Sequence, residues 1–359
     1  MDNENTLLKI ARWLIKPRTT RIPPGLWILL LGGILYLLTR LSPIPLEIIT
    51  ERIIVVTPTP KPGWYISGPS TEFEGAGPTP TPVGSGGTLA FTMRHNGNSD
   101  IYLLSQNTGN LLRLTYDPDE DRDPAWSPDG RMLAFASHRA RNWDLYLMDM
   151  HTGTVLRLTR ASGMESGPTW SPDGKWLAYE AYQNDNLDIY ILNVDSGESI
   201  RLTDAAEPEY SPTWSPDGRH IAFTAYRNKS KDLYLIALDD GSISALTSTP
   251  DQDEDYATWS PDGAYLAYSA GVPGDETIWM IPFDKEGLST GQLRPMLFGV
   301  GRQPVWAPDG QAMGFIFQRQ TTSYLISAST TGWALAQEGY STMDAMSNPD
   351  WSAAPLDVE

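Results

Sequence analysis

Residues 122–137 read RDPAWSPDGRMLAFAS, and the centre of this stretch recurs along most of the chain. Trp-Ser-Pro-Asp-Gly occurs at 126–130, 170–174, 214–218 and 259–263, and Trp-Ala-Pro-Asp-Gly occurs at 306–310. The successive tryptophans are therefore 44, 44, 45 and 47 residues apart. Self-similarity at this period is the sequence signature of a propeller or a solenoid.

Each repeat contains four short runs with the length and residue choice of β-strands, which we label a to d. In one repeat they are Pro124-Ala-Trp-Ser, Leu133-Ala-Phe-Ala-Ser, Asp144-Leu-Tyr-Leu-Met and Val155-Leu-Arg-Leu-Thr. Ser-Pro-Asp-Gly supplies the proline, aspartate and glycine of a tight turn between a and b. Four antiparallel strands per repeat predict one propeller blade each.

The two ends of the repeat region predict how the ring closes. The first repeat, from Leu89, has strands b, c and d but no tryptophan motif before it. A last motif, Asn348-Pro-Asp-Trp-Ser, has no blade after it. If 348–352 completes the first blade, the sequence predicts an all-β, six-bladed propeller of four-stranded antiparallel blades over residues 88–352, followed by a tail at 353–359.

The pattern Pro-x-Trp-Ser-Pro-Asp-Gly, Leu-Ala-Phe, Asp-Leu-Tyr, Arg-Leu-Thr resembles the TolB-like propeller repeats, which are relatives of the WD repeats. The resemblance covers residues 88–352 and is specific for the fold, but many unrelated functions use this fold. TolB is a soluble periplasmic protein with its own N-terminal domain. In this chain a membrane anchor and a stalk are predicted in its place.

The N-terminal region predicts a single membrane span. Residues 22–41 contain a dense apolar block without a charge before Arg40, long enough for a hydrocarbon core about 30 Å thick. The basic residues of the tail at 1–21 precede this span, so the positive-inside rule predicts a cytoplasmic N-terminus and an extracytoplasmic propeller. The alternative is a cleaved signal peptide. Residues 42–87, rich in Pro, Thr and Gly, read as a stalk.

Composition and charge argue against several kinds of site and of binding partner. The chain has no cysteine, so disulfides and thiolate sites are absent. Its net charge is −18, which disfavours nucleic-acid binding because phosphates would be repelled.

The residues that could be catalytic or metal-binding are better explained by structural roles. The repeated aspartates of the a–b turns and of the first position of strand c each do the same local task in every blade. The four histidines do not predict a metal centre. The acidic stretches 117–121 and 251–255 could bind Ca²⁺, with a solvated linker as the alternative interpretation. The sequence therefore predicts no enzyme activity, catalytic residue or cofactor.

One pattern predicts a partner-binding face. Acidic residues stand five positions before four successive motif tryptophans, in predicted d–a loops on the same face as the b–c loops. The b–c loops carry Arg, His, Tyr and Trp, several of which dominate interface hot spots. Ordinary loop polarity is the alternative. The candidate residues are Asp121, Glu165, Glu209, Glu254, Arg94, His138, Arg139, Arg141, Trp143, Tyr182, Tyr226 and Arg227.

From these observations we expect a membrane-anchored scaffold that binds a protein or peptide partner at the cell envelope. The alternative is a carbohydrate-binding or carbohydrate-active propeller that uses its central channel. Removal of Arg139, Arg141 and Trp143 is expected to weaken partner binding and to leave stability nearly unchanged.

Overall fold

The computed structural model describes residues 86–227, 229–250, 252–283, 295–330 and 337–354. They form six four-stranded antiparallel sheets, which are the six predicted blades. The predicted tail, membrane span and most of the stalk lie outside the described residues. The described residues contain no helix that is long and apolar enough to cross a membrane.

The strands follow chain order within each blade, except in blade 1. Blade 1 contains β1 (Thr88–His95), β2 (Asn98–Ser105) and β3 (Leu111–Arg113), and blade 2 contains β4 (Asp121–Trp126), β5 (Met132–Ser137), β6 (Asp144–Asp149) and β7 (Val155–Arg157). Blade 3 contains β8 (Glu165–Trp170), β9 (Trp176–Gln183), β10 (Asn186–Asn193) and β11 (Ser199–Arg201). Blade 4 contains β12 (Glu209–Trp214), β13 (His220–Arg227), β14 (Ser230–Ala237) and β15 (Ile243–Ala245).

The remaining strands complete the ring. Blade 5 contains β16 (Glu254–Trp259), β17 (Tyr265–Ala270), β18 (Thr277–Pro282) and β19 (Met296–Val300), and blade 6 contains β20 (Arg302–Trp306), β21 (Ala312–Arg319), β22 (Thr322–Ser329) and β23 (Gln337–Thr342). The last strand, β24 (Ala345–Ser352), pairs with β1 and is strand a of blade 1. The two ends of the domain are thus joined without a covalent bond.

The meander of each blade gives the propeller two different faces. The a–b and c–d turns lie together on what we call the turn face. The b–c hairpins and the d–a connections lie on the opposite side, which we call the loop face.

The core forms where strands b and c of adjacent blades pack together. Their alternating apolar residues, such as Leu133, Phe135 and Leu145, are fully buried. Aromatic residues also pair across strands b and c, as in Phe135 with Tyr146, whose ring centroids are 5.9 Å apart. Such pairs stabilise a sheet beyond the burial of their area.

The motif tryptophans tie neighbouring blades together. The indole N–H of Trp170 donates to the carbonyl of Ala125 on the preceding blade at 3.0 Å, and Trp259 and Trp306 repeat the arrangement. The turn beside them is held by its aspartate, because Asp129 accepts hydrogen bonds from the Ser127 hydroxyl and the Arg131 amide. The hydrogen bond from Ser127 lowers the pKa of Asp129. These contacts agree with the structural role predicted for the turn aspartates.

The aspartates that open strand c also have a structural role. In blades 1 to 3 each one pairs with an arginine thirteen residues later, on strand d. The pairs are Asp100–Arg113 at 2.7 Å, Asp144–Arg157 at 2.9 Å and Asp188–Arg201 at 2.8 Å. Blade 4 has Asp232 but places Ala245 at the arginine position.

Candidate functional site

The four predicted acidic residues are not in loops. Asp121, Glu165, Glu209 and Glu254 are the first residues of β4, β8, β12 and β16. They are at most 2% exposed. The prediction of an acidic set displayed in d–a loops was therefore wrong, because strand a begins earlier than the sequence pattern indicated and its first residue packs against the preceding blade.

Two of the predicted cations neutralise these acids directly. The Arg139 guanidinium donates through one nitrogen to both carboxylate oxygens of Asp121, at 2.9 and 3.0 Å. Arg227 donates to one carboxylate oxygen of Glu209 at 2.5 Å, and the second oxygen of Glu209 is buried without a hydrogen-bond partner. Arg139 also lies over the ring of Tyr146, at 4.8 Å from its centroid. Arg139 and Arg227 therefore bind buried acids within the fold. This geometry argues against the prediction that joint removal of Arg139, Arg141 and Trp143 leaves stability nearly unchanged.

A second group of candidates packs around Trp143. The Arg122 guanidinium lies 3.9 Å from the centroid of a Trp143 ring, and the His138 ring is 5.4 Å away on a tilted plane. Arg122 in turn contacts the Asp123 carboxylate at 3.3 Å. Arg94 forms an ion pair with Glu120 at 3.3 Å in which both side chains are exposed. These residues lie on the loop face but already have partners within the chain.

The remaining three candidates are exposed on the loop face. Arg141 has a left-handed backbone with φ 64°, and Tyr182 and Tyr226 are 45% and 44% exposed at equivalent hairpins of blades 3 and 4. Other exposed apolar side chains on this face were not predicted. They are Tyr116, Val272, Val300 and Met343. Among the described residues, three exposed large apolar side chains lie at the turn-face ends of the blades, against six on the loop face. The three are Ile243, Tyr265 and Met296.

The central channel is lined by strand a of all six blades. Its cavity of about 280 Å³ is bordered by Asp123, Tyr256, Gln303, Asn348 and Asp350, among others. Strand a has a β-bulge in every blade, and the bulged residue has a left-handed backbone with φ between 51° and 60°. The six residues are Asp123, Gly167, Ser211, Tyr256, Gln303 and Asn348.

Side chains, mostly from the preceding blade, satisfy the amides of these bulges. Thr92 accepts from the Asp123 amide at 3.1 Å, and Glu180 accepts from the Ser211 amide at 3.0 Å. Where the ring closes, the bulged residues bond to one another. Asn348 donates through its amide N–H to Gln303 at 3.0 Å and through its side chain to Asp123 at 2.7 Å. The non-covalent closure between blades 6, 1 and 2 is therefore reinforced from inside the channel.

Burial changes the acidity of the channel residues. It raises the pKa of Asp123 to about 6, although Arg122 lowers it. Burial also raises the pKa of Asp350 to about 6, against the hydrogen bond that its carboxylate accepts from the Trp126 amide at 2.6 Å. For Tyr256, burial raises the pKa to about 12. Burial therefore raises the pKa of both channel carboxyl groups to about 6.

The described residues contain no group of three or more His, Asp or Glu side chains arranged to hold a metal ion. In the acidic stretch 117–121, Asp117 accepts the Asp119 amide and Asp121 binds Arg139. Of the stretch 251–255, Asp251 lies outside the described residues. His95 and His138 each approach an aspartate, Asp344 at 2.8 Å and Asp119 at 3.9 Å.

Part of this geometry had a signal in the sequence. The pairs Asp121–Arg139 and Glu209–Arg227 share a spacing of 18 residues, so a repeat-by-repeat alignment could have revealed them. The bulge ring had a weaker signal. Five of its six residues precede proline, and a residue before proline is expected to be extended, not left-handed. The channel lining was therefore missed.

Comparison with known proteins gives one family and one fold. The family model described as TolB beta propeller domain matches residues 68–163 and 142–355. No curated protein sequence matches the chain. TolB from Acinetobacter baumannii has a similar structure, with TM-score 0.64, 22% identity, and coverage of 74% of this chain and 66% of that one. The chain thus spans slightly less than two thirds of that protein.

Two further solved structures show how widely the fold is used. A putative TolB from Agrobacterium tumefaciens gives TM-score 0.57 and 19% identity, covering 73% of this chain and 91% of that chain. An oligogalacturonate lyase in complex with manganese gives TM-score 0.51 and 16% identity, covering 68% of this chain and 72% of that chain. At these identities the similarity shows the fold alone.

Proposed function

Because this chain belongs to the TolB beta propeller domain family, we propose that it is a non-enzymatic scaffold at the cell envelope that binds a protein or peptide partner through its loop face. A membrane span at 22–41 and the stalk at 42–87 would hold the propeller outside the cytoplasm. The observation that carries the proposal is the uneven distribution of exposed apolar side chains between the two faces.

The loop face has the composition of a binding surface. Tyr182 and Tyr226 occupy matching positions on adjacent blades, and further apolar side chains are exposed around the same face. Tyrosine offers a large contact area at a low cost in side-chain entropy, which makes it frequent at interfaces. The turn face consists mostly of hairpin turns closed by their own aspartates and glycines.

The position where the chain enters the propeller also supports the loop face as the binding surface. The Gly86 carbonyl accepts the indole N–H of Trp351 at 3.1 Å, and the Gly87 carbonyl accepts the Gln106 amide at 2.9 Å. Gln106 belongs to the c–d turn of blade 1, so the chain enters from the turn face. The loop face is therefore on the side of the propeller opposite residues 86 and 87.

Removal of the exposed loop-face anchors is expected to weaken binding of a partner captured by cross-linking in intact cells. Replacing Tyr182 and Tyr226 by Ala and Arg141 by Asn should cost more than about 2 kcal/mol of binding free energy. Asn is chosen at 141 because it tolerates the left-handed backbone. The melting temperature should change little, since exposed substitutions usually alter stability by about 0.5 kcal/mol or less each.

The matched control lies on the turn face. Thr108, Thr152 and Ser196 are exposed in the c–d turns of blades 1 to 3, and their joint replacement by Ala should leave capture unchanged. Loss of capture in this control, with capture retained in the loop-face variant, would reverse the assignment of the faces.

The topology of the anchor gives a separate prediction. Protease added outside intact cells, or outside spheroplasts where an outer membrane is present, is expected to remove the propeller and leave a small N-terminal fragment in the membrane. The positive residues before the span are the physical reason. N-terminal sequencing distinguishes the alternative, because cleavage of a signal peptide would give a mature protein that begins near residue 43.

Saccharide binding in the channel has less support. It would need several carboxylates beside open aromatic walls. The cavity is bordered by Asp123, Asp350 and Tyr256, but the neighbouring rings of Trp126 and Trp170 are only 9% exposed. Those rings pack between blades and present little surface to a sugar.

A further inference from the structure

The first residues of strand a in blades 2 to 5 differ in one respect. All four are buried acids, but only two have an arginine 18 positions later. Asp121 has Arg139 and Glu209 has Arg227, whereas the matching positions for Glu165 and Glu254 hold Gln183 and Val272. The repeat therefore supplies its own comparison between a buried carboxyl group with an arginine and one without.

Glu254 has the less compensated environment of the two unmatched acids. It is 1% exposed, and its Oε1 accepts a hydrogen bond from the Thr249 hydroxyl at 2.7 Å. Its second oxygen is buried without a hydrogen-bond partner. The nearby titratable groups are Asp232 on β14 and the phenol of Tyr268 on β17. Asp232 itself lacks the strand-d arginine of blades 1 to 3, so this pair of carboxyl groups has no such cation.

Glu165 has an intermediate environment. Its second oxygen is also buried without a partner, and it faces Asp144, Tyr179 and Tyr190. However, Asp144 is paired with Arg157, which also acts on Glu165. Burial raises the pKa of Glu165, and for Glu254 burial raises the pKa to about 7. For Asp121 burial acts in the same direction, but Arg139 opposes it.

We propose that blade 5, and blade 3 to a smaller extent, form a pH-responsive part of the loop face. Glu254 holds a proton in mildly acidic surroundings and loses it as the surroundings approach neutrality. The resulting anion is buried beside Asp232 without a strand-d arginine to compensate it. It therefore destabilises the start of β16 and the b–c connection that the Gly271 amide fastens to the Asp253 carbonyl at 2.9 Å.

The direction of the effect follows from proton linkage. A glutamate in the unfolded chain loses its proton near pH 4.5, and the folded group does so near pH 7. Between these values the native state binds more protons at Glu254, so the contribution of this group to stability is most favourable below pH 4.5 and falls as the pH rises to 7. Each pH unit in this window favours opening by a factor of about ten.

Hydrogen exchange and infrared titration test the proposal without a partner. Amide exchange at Gly271 and in the first residues of β16 is compared between the wild-type chain and Glu254→Gln at the same pH, which cancels intrinsic exchange. At pH 8 the wild-type amides should exchange at least tenfold faster than those of the variant, and at pH 4.5 the two should agree. Glu198→Gln, an exposed substitution on the c–d side, should behave as wild type throughout.

A titration of the wild-type chain tests the proposal even if the variant folds poorly. The infrared band of a protonated carboxyl group should disappear with a midpoint near pH 7, and Glu254→Gln should lack that component. Asp123 and Asp350 account for components near pH 6, which Asp123→Asn and Asp350→Asn would remove. A wild-type spectrum without a carboxyl band above pH 6 would overturn the proposal.

Blade 3 offers a complementary substitution. β9 and β13 have the same length, so Gln183→Arg places a guanidinium where blade 4 has Arg227. This variant should lower the titration midpoint of Glu165 and slow exchange in blade 3 at pH 8. The pH response concerns the face used in the proposed function, but these measurements use no partner. A negative result in these measurements would contradict the pH response and would not affect the proposal of partner binding. Failure to capture a partner would contradict the proposed function and would not affect the titration result.

Discussion

Deletion of residues 347–359 is expected to abolish cooperative folding of the propeller at moderate temperature. The deletion removes most of β24 and exposes the inner edge of β1, along with the apolar surface that covered it. Trp351, 6% exposed, loses its place in the core of blades 6 and 1. Loss of a buried tryptophan alone costs about 3–5 kcal/mol, against a total stability of about 5–15 kcal/mol.

Polar contacts add to this loss. Without Asn348, the side chain of Gln303 and the carboxylate of Asp123 lose their partner inside the channel. Without Asp350, the Trp126 amide is left buried and unsatisfied, which costs about 1–3 kcal/mol. Circular dichroism during thermal unfolding measures the effect. Trp351→Ala tests the same contact by a single substitution and should lower the midpoint strongly.

The control is a shortened chain whose last residue is Ala354. Its carbonyl accepts the Thr88 hydroxyl at 2.9 Å, so a truncation from residue 353 would remove one real contact. Deletion of 355–359 should leave the melting temperature within about a degree or two, since it touches none of the described contacts. Equal melting of the two truncations would show that β24 does not close the ring.

The repeat pattern predicted the fold well because the information is local and repeated. Each Trp-Ser-Pro-Asp-Gly segment specifies a turn by its own chemistry, and the alternation of apolar residues specifies the strands. Closure by Asn348 to Ser352 followed from counting strands. A single sequence was sufficient to predict the fold because it contains five copies of the motif, each of which specifies the same structural unit.

The site was harder to predict because it depends on contacts between blades. Asp121 and Arg139 look like surface charges when read separately, and only the register of β4 against β5 brings them together in the interior. The left-handed bulges are set by the amide partners that the preceding blade supplies, such as Thr92 and Glu180. Neither the buried ion pair nor the source of the bulge contacts can be inferred from the composition of a loop. Exposed Tyr182 and Tyr226, by contrast, were identified from residue type and hairpin position alone.

Arg139→Met is expected to destabilise the propeller by about 3–5 kcal/mol at pH 7, because it leaves the Asp121 carboxylate buried without a cation. Asp121 is 0% exposed and cannot regain water without opening blade 2. The loss also includes the hydrogen bond from Arg139 to the Ser137 hydroxyl at 2.7 Å and the stacking over Tyr146. Chemical denaturation monitored by tryptophan fluorescence measures the free energy of unfolding.

Two comparisons separate the buried charge from simple loss of packing. Arg141→Asn removes an exposed arginine two residues away and should change stability by about 0.5 kcal/mol or less. Asp121→Asn in the Arg139→Met background removes the unpaired charge and should recover at least half of the loss, since the remaining cost is that of contacts alone. The deficit of Arg139→Met should also shrink at pH 4, where protonation neutralises Asp121. A deficit that is the same at both pH values and is not relieved by Asp121→Asn would mean that Arg139 stabilises blade 2 by packing, not by charge.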